Sequence, residues 1–191
     1  IHSNRETFQD DDTIRVHPII TKGGEAVSAV PADVRMETFV RGRTMEAIMD
    51  ANQKVDRALK AGAMAVGAKV KIQTIPGYLP LMQDKRLSDV FESNSVSLVG
   101  KENVGYVAHR TGSTDMGDVS HIMPAVHPYT GGASGMGHGE DYMIADYEQA
   151  VIRPAKALAM SVIDLLANGG FGQAPPTDGV TGLAACCGIG Q

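Results

Sequence analysis

Two short segments near the start of the chain alternate between apolar and polar residues, as β-strands with one buried face do. The first, Thr13–Ile20, places Ile14 and Val16 on one face and ends at Lys22-Gly23-Gly24. The second, Asp33–Arg41, alternates strictly, with one face formed by Val34, Met36, Thr38 and Val40 and the other by Asp33, Arg35, Glu37, Phe39 and Arg41. We predict that each segment forms a strand with one buried and one solvent-exposed face.

The next segment has the period of a helix. Apolar residues recur at helical spacing from Met45 to Val66, Thr44 can cap the helix, and Gly67 can end it. Lys69–Gln73 then predicts a third strand. This order of elements predicts an α+β layer, in which the helix packs on one face of an antiparallel sheet.

Two prolines and a glycine in Pro76–Pro80 prevent a helix or strand from continuing and mark a boundary. After it the pattern predicts a helix around Leu87, Val90 and Phe91, strands at Val104–Ala108 and Ile122–Val126, and a long helix at Asp146–Asn168. Pro154 is expected to kink or divide that last helix. The predicted units are residues 1–76 and 77–191, and the second ends in a glycine-rich tail.

Composition excludes some classes of function. A net charge of -5, with 17 basic and 22 acidic residues mixed along the chain, provides no basic stripe for nucleic acid. No apolar run reaches the roughly 20 residues that cross a bilayer, so we expect no membrane role. Cys186 and Cys187 are adjacent, and two free thiols suit a reducing cytoplasm. Without another cysteine pair or a histidine nearby, we expect no metal or redox role for them.

The most distinctive segment, His127–Tyr142, holds two histidines and several glycines between a predicted strand and a predicted helix. Glycines let the backbone approach a ligand closely, and His138, between Gly137 and Gly139, can project from a tight turn toward a metal. From spacing alone, the pattern favours a solvent-exposed loop histidine over a metal ligand. His127 lies close enough in sequence to line the same cleft.

Three motifs carry a resemblance to a known family. The run Gly112–Ser120, the later Gly137–Tyr142 and the earlier Gly23–Glu37 resemble segments of the zinc-dependent amidohydrolases that include aminoacylase, carboxypeptidase and aminobenzoyl-glutamate hydrolase. The resemblance implies that residues 1–76 are part of an α+β lid, or dimerisation, domain. Residues 77–191 would then be the C-terminal part of an α/β metallopeptidase-like catalytic domain.

The family resemblance also implies an activity. We expect hydrolysis of an amide bond of N-acyl or aminobenzoyl amino acids by a metal-activated water, with two zinc ions, for which manganese or cobalt could substitute. His138 matches the last metal-ligand histidine. The other ligands and the general-base glutamate have no counterpart here, so we expect the chain alone to be inactive. The expected partners are a small-molecule amide and a second copy, bound through the lid.

Substrate contacts follow from the same resemblance. Arg41 matches the lid arginine that binds the substrate carboxylate, although it could instead be a surface arginine paired with Glu37. Ser28, thirteen positions before Arg41, stands where the family usually has asparagine. His127, Gly131 and Gly132 are the remaining candidates for substrate binding.

Other polar residues have simpler explanations. Asp115 and Asp118 could bind a metal, but Ser113-Thr114-Asp115 before an apolar run favours a helix start. The histidines without a surrounding constellation are expected to be structural: His17, His109 and His121. The competing function is a non-catalytic dimerisation or binding module, or one half of a split enzyme.

Overall fold

The computed structural model describes residues 1–107 and 112–167. The chain divides into two compact units after Pro80, with a short segment around Ser113 belonging to the first unit. The tail that carries Cys186 and Cys187 lies outside the described residues, as does His109.

The first unit contains a two-stranded antiparallel sheet formed by β1 (Arg15–Lys22) and β2 (Arg35–Arg41). Both predicted strands are confirmed. On β2, Thr38 and Val40 are half-buried while Phe39 and Arg41 are exposed, as predicted. Val34 and Met36, which were predicted for the buried face, are exposed, so the difference between the faces is confirmed only for the last residues of the strand.

Helix α1 (Met45–Ala65) follows and contacts β2. The Thr44 hydroxyl accepts a hydrogen bond from the Ala47 N–H at 3.2 Å, as expected of an N-cap. Beyond the other end, Gly67 has a φ of 69°, a left-handed conformation that favours glycine. The buried residues of α1 recur every fourth position and form the core of this unit: Ala47, Ala51 and Val55.

The segment before β1 packs on α1. It contains two 3₁₀ turns, His2–Thr7 and Asp10–Asp12. The Lys54 ammonium donates to the Thr7 carbonyl at 2.8 Å, and the Asn4 side chain donates to the Lys54 carbonyl at 3.1 Å. These bonds fix the chain's first residues against the helix.

The predicted third strand is wrong. Residues 68–84 contain neither helix nor strand, and 69–73 form no backbone hydrogen bond with another described segment. The apolar residues of this alternating segment are Val70 and Ile72, and Val70 is exposed. A strand is stable only when a neighbour pairs with its backbone, and the period-two pattern does not specify that neighbour.

In the second unit, α2 (Lys85–Val99) packs against α4 (Arg153–Ala167). The Asp84 carboxylate accepts the Leu87 N–H at 3.0 Å and caps α2. Between the helices, the buried Asn94 amide donates to Ser161 Oγ at 3.2 Å and to Asp164 Oδ2 at 2.8 Å. A buried amide needs such partners, so this network fixes how the two helices face each other.

The long predicted helix changes type ahead of its proline. A π-helical turn, Glu148–Ile152, leads directly into α4, where Pro154 occupies the second position. Proline cannot donate a backbone hydrogen bond and is tolerated in a helix's first turn. The helix continues through Pro154 without a break, so it is not divided there, and the predicted kink stays a prediction.

Two further strand predictions are wrong within the described residues. The first, Val104–Ala108, has no strand over 104–107; there, Tyr106 Oη donates to Glu92 on α2 at 2.6 Å, which raises the pKa of that phenol. A short 3₁₀ turn, Lys101–Asn103, precedes this segment. In the second, Ile122 is the last residue of helix α3 (Met116–Ile122). After it, the Ala125 carbonyl accepts the Asp84 N–H at 2.8 Å without forming a ladder.

Across the described ranges, no helix combines the length and the apolar composition needed to cross a membrane.

Candidate functional site

The glycine-rich segment forms a small β-hairpin. Strands β3 (Ala133–Ser134) and β4 (Met143–Ile144) pair antiparallel. At its base the Gly132 carbonyl accepts from the N–H groups of Ala145 and Asp146, at 2.8 and 2.9 Å. The hairpin therefore carries residues 135–142 on its tip and holds their ends in place.

Gly132 is required by the backbone packing around it. Gly132 has a φ of 95°, and a Cβ added there would lie 2.7 Å from both the Asp146 carbonyl oxygen and the Ala150 nitrogen. A Cβ on Gly131 would lie 2.6 Å from the side-chain amide nitrogen of Gln149, which is the end of a flexible, exposed side chain and can move. Gly132 thus lets the hairpin base approach the π-helical turn, and the predicted part of both glycines in substrate binding stays a prediction.

His138 lies at the hairpin tip. The Gly139 N–H donates to the Met136 carbonyl at 2.7 Å, which closes a turn whose third residue, His138, has a φ of 67°. Histidine is one of the residues that tolerate the left-handed region better than most. The exposed imidazole therefore projects from a turn with a glycine on each side, as the sequence predicted.

The described residues do not assemble a metal site by themselves. Within residues 1–107 and 112–167, no group of three or more His, Cys, Asp or Glu side chains is placed to hold an ion. Asp115 instead precedes α3, and the Thr114 hydroxyl accepts the Met116 N–H at 3.3 Å. The predicted helix start is confirmed, with Thr114 supplying the side-chain acceptor.

His127 is half-buried between two partners. Its backbone N–H donates to Gln83 Oε1 at 3.0 Å, and its ring centroid lies 5.6 Å from that of Tyr129. Its Nδ1 is buried without a hydrogen-bond partner in the described part of the chain. A buried nitrogen of this kind is costly, and a ligand that donates to it would remove the cost.

In the first unit, Arg41 lies on the exposed face of the sheet. Its guanidinium Cζ is 5.2 Å from the centre of the Phe39 ring, a cation-π distance. The register sets Arg15 directly opposite Arg41 and His17 opposite Phe39. These four residues, with Val16, line a cavity of about 330 Å³.

Ser28 lies apart from that face, in the exposed loop between the strands. The Ala29 N–H donates to the Ala26 carbonyl at 3.4 Å, and Ser28, the third residue of this turn, has a φ of 64°. Asparagine tolerates this left-handed backbone better than serine does. The backbone thus gives a physical reason why asparagine is usual here in the family that the sequence resembles.

The sequence analysis did not identify all the residues that line the cavity beside Arg41. His17 was predicted to be structural, yet it is exposed and lines the cavity beside Arg41. Arg15 and Phe39 were not considered for binding. Alternation alone placed Phe39 and Arg41 on one face; the missing information was the register that brings Arg15 and His17 opposite them.

Comparison with known proteins finds two similar dipeptidases. The chain is 32% identical to the Xaa-Arg dipeptidase of Mus musculus over 163 residues, which cover 81% of this chain and 38% of the mouse protein. It is 30% identical to the Xaa-Arg dipeptidase of Homo sapiens over 179 residues, which cover 86% of this chain and 40% of the human protein. The chain is therefore similar to part of two dipeptidases.

This homology supports a peptidase or amidohydrolase function at the level of the family. No family model matches the chain. The aligned residues span about two fifths of the length of either dipeptidase. The similarity therefore does not by itself assign the activity of a whole dipeptidase to this chain.

Proposed function

We propose that this chain is part of a metal-dependent amidohydrolase that releases an amino acid from an N-acyl, aminobenzoyl or peptidyl amide. The observation that carries the proposal is the similarity to two dipeptidases over more than four fifths of the chain. The motifs Gly112–Ser120 and Gly137–Tyr142, which resemble the zinc amidohydrolases, support the same reaction class.

Arg41 is the proposed ligand for the substrate carboxylate. A guanidinium pairs with two carboxylate oxygens at once, and the Phe39 ring under Arg41 restricts its orientation before the substrate arrives. Ser28 provides a single hydroxyl where the family usually has an amide, so its hydrogen bond to substrate would be a minor contribution.

His138 is the proposed metal ligand of this chain. A catalytic zinc site usually has three protein ligands and an open position, and its zinc activates a water for attack. One exposed imidazole does not meet that requirement, and no group of three such ligands occurs among the described residues, so further ligands would have to come from elsewhere. This chain would contribute a hairpin that holds the backbone at His138, and His127, whose buried Nδ1 can accept a hydrogen bond.

Two substrate classes compete within the proposal. The motif resemblance favours aminobenzoyl-glutamate and N-acyl amino acids. The similarity to two Xaa-Arg dipeptidases favours dipeptides that end in arginine. Both classes present a terminal carboxylate to Arg41, so they differ in the side chain of the residue released.

The decisive experiment measures hydrolysis of aminobenzoyl-glutamate, N-acetyl amino acids and Xaa-Arg dipeptides. It uses the 191-residue chain, and the same chain completed by a segment matching the rest of the homologues' length. We expect activity only in the completed enzyme. Replacing His138→Ala should reduce it by about 100-fold or more, because even residues that only orient metal ligands contribute 10- to 100-fold.

His2→Ala is the matched control, since His2 is another exposed histidine and lies in the first unit. Zinc bound per chain should fall with His138→Ala and stay constant with His2→Ala. Turnover by the 191-residue chain alone would show that the ligands lie among residues assigned no role here. No turnover by either form would favour the alternative of a non-catalytic dimerisation module.

A further inference from the structure

The exposed face of the β1–β2 sheet holds two arginines side by side. Side chains alternate along a strand, so the register pairs Arg15 with Arg41 and His17 with Phe39 on the same face. All four are exposed and line one cavity. Opposite residues of an antiparallel pair have Cβ atoms about 4.5–5.5 Å apart, so both guanidinium groups can reach one small molecule.

This arrangement costs stability unless a negative charge lies nearby. Like charges directly opposite each other in a sheet are destabilising. In the described part of the chain Arg15 forms no ion pair, and its hydrogen bond to the neighbouring Ile14 carbonyl is long, at 3.5 Å. Its donors are therefore available to a ligand. A second copy meeting this face with its own face would add two more arginines, so an anion suits the site better.

We propose that Arg15 is a specificity-determining residue that binds the second carboxylate of substrates releasing glutamate or aspartate. The inference rests on the proposed function, in which Arg41 binds the carboxylate common to all candidate substrates. When Arg41 binds the common carboxylate, the Arg15 guanidinium can bind the acidic side chain of the same substrate residue. A substrate ending in a cationic residue would instead meet a like charge.

The test compares aminobenzoyl-glutamate with aminobenzoyl-glutamine in the completed enzyme, because these amides match in shape and differ in one charge. In Arg15→Gln we expect kcat/KM for the glutamate substrate to fall by about 10-fold or more, mainly through KM, since a hydrogen bond to a charged group is lost. For the glutamine substrate we expect a change below about twofold, as for a surface substitution. Arg15→Lys, which keeps the charge without the fork, should be intermediate.

Arg57→Gln is the control, because it removes one positive charge from an exposed position on α1. It should leave the ratio of the two substrates unchanged. An equal loss on both substrates in Arg15→Gln would overturn the inference, since it would indicate a structural role.

If the completed enzyme hydrolyses neither amide, the proposed function fails. Ligand binding then tests separately whether Arg15 recognises a second carboxylate. Calorimetry then compares N-acetylglutamate with N-acetylglutamine on the 191-residue chain. Tighter binding of the diacid that is lost in Arg15→Gln supports a dicarboxylate site. Equal affinities overturn it.

Discussion

At the scale of single residues, the two turns that hold candidate site residues share one backbone feature. Ser28 and His138 each occupy the third position of a turn and have φ values of 64° and 67°. L-residues pay a steric cost in this region, and asparagine and histidine pay less than most. Both positions are therefore constrained by the backbone as well as by any ligand.

Ser28 offers a direct test of this constraint. Ser28→Asn should leave the melting temperature unchanged or slightly higher, whereas Ser28→Val should lower it by a few degrees, because a β-branched residue is disfavoured at positive φ. Val27→Ala is the control, since Val27 is 96% exposed in the same turn. Thermal unfolding followed by circular dichroism measures the difference. Equal melting temperatures for the asparagine and valine variants would contradict the left-handed assignment.

What the sequence predicts at this scale depends on how local the cause is. The His138 turn and the Thr44 cap follow from neighbouring residues, and both were predicted. The cluster of Arg15 with Arg41 depends on a pairing between strands that are separated by a long loop. Period-two alternation assigns each residue to a face but leaves the register open, so Arg15 and His17 were missed.

At the scale of elements, ion pairs link the end of β1 to the start of β2. The Asp33 carboxylate accepts from the Arg35 guanidinium at 3.1 Å and from the Lys22 ammonium at 3.2 Å. Lys22 and Arg35 are themselves opposite each other in the register. The hydrogen bond from Arg35, followed by that from Lys22, holds the pKa of Asp33 below its ordinary value.

Because the folded pKa of Asp33 is lowered, its contribution to stability is present above the unfolded value and is lost as pH falls through the folded pKa. Asp33→Asn should lower the melting temperature at pH 7 by a few degrees at most, since exposed ion pairs are weak. This deficit should shrink as pH falls below about 3.9. Melting curves at several pH values measure it, with Asp11→Asn as the exposed control. A deficit independent of pH would contradict the ion-pair explanation.

The elements that the sequence predicts correctly are those whose signals are local and repeated. Helix α1 has a cap, a stop and a long run at helical spacing, while β1 and β2 have clear alternation. The failures at 69–73, 104–108 and 122–126 are short segments of five residues. Among the described residues, Val70 and Ile72 have no pairing partner, and Ile122 completes helix α3 instead. A run of four or five residues does not separate these outcomes, because each is decided by contacts distant in sequence.

At the scale of the whole molecule, each unit leaves a surface that favours association. In the first unit, each strand of the sheet has one edge without a partner among the described residues, and such edges template pairing. Pro18 lacks an N–H, so β1 is the poorer template. In the second unit, exposed apolar side chains recur along α4: Leu158, Val162, Ile163 and Leu166.

We expect the 191-residue chain to form a dimer through the first unit, in keeping with the lid role that the motifs imply. Met36→Lys places a charge on β2 at a residue that is 42% exposed, and lysine on an edge strand opposes pairing. Val162→Lys is the matched variant on α4. Light scattering should then show monomers for Met36→Lys and dimers for Val162→Lys. The reverse result would place the association on the α4 face, and a monomeric parent chain would exclude both surfaces, because neither would then contain enough uncovered apolar area to hold two copies together.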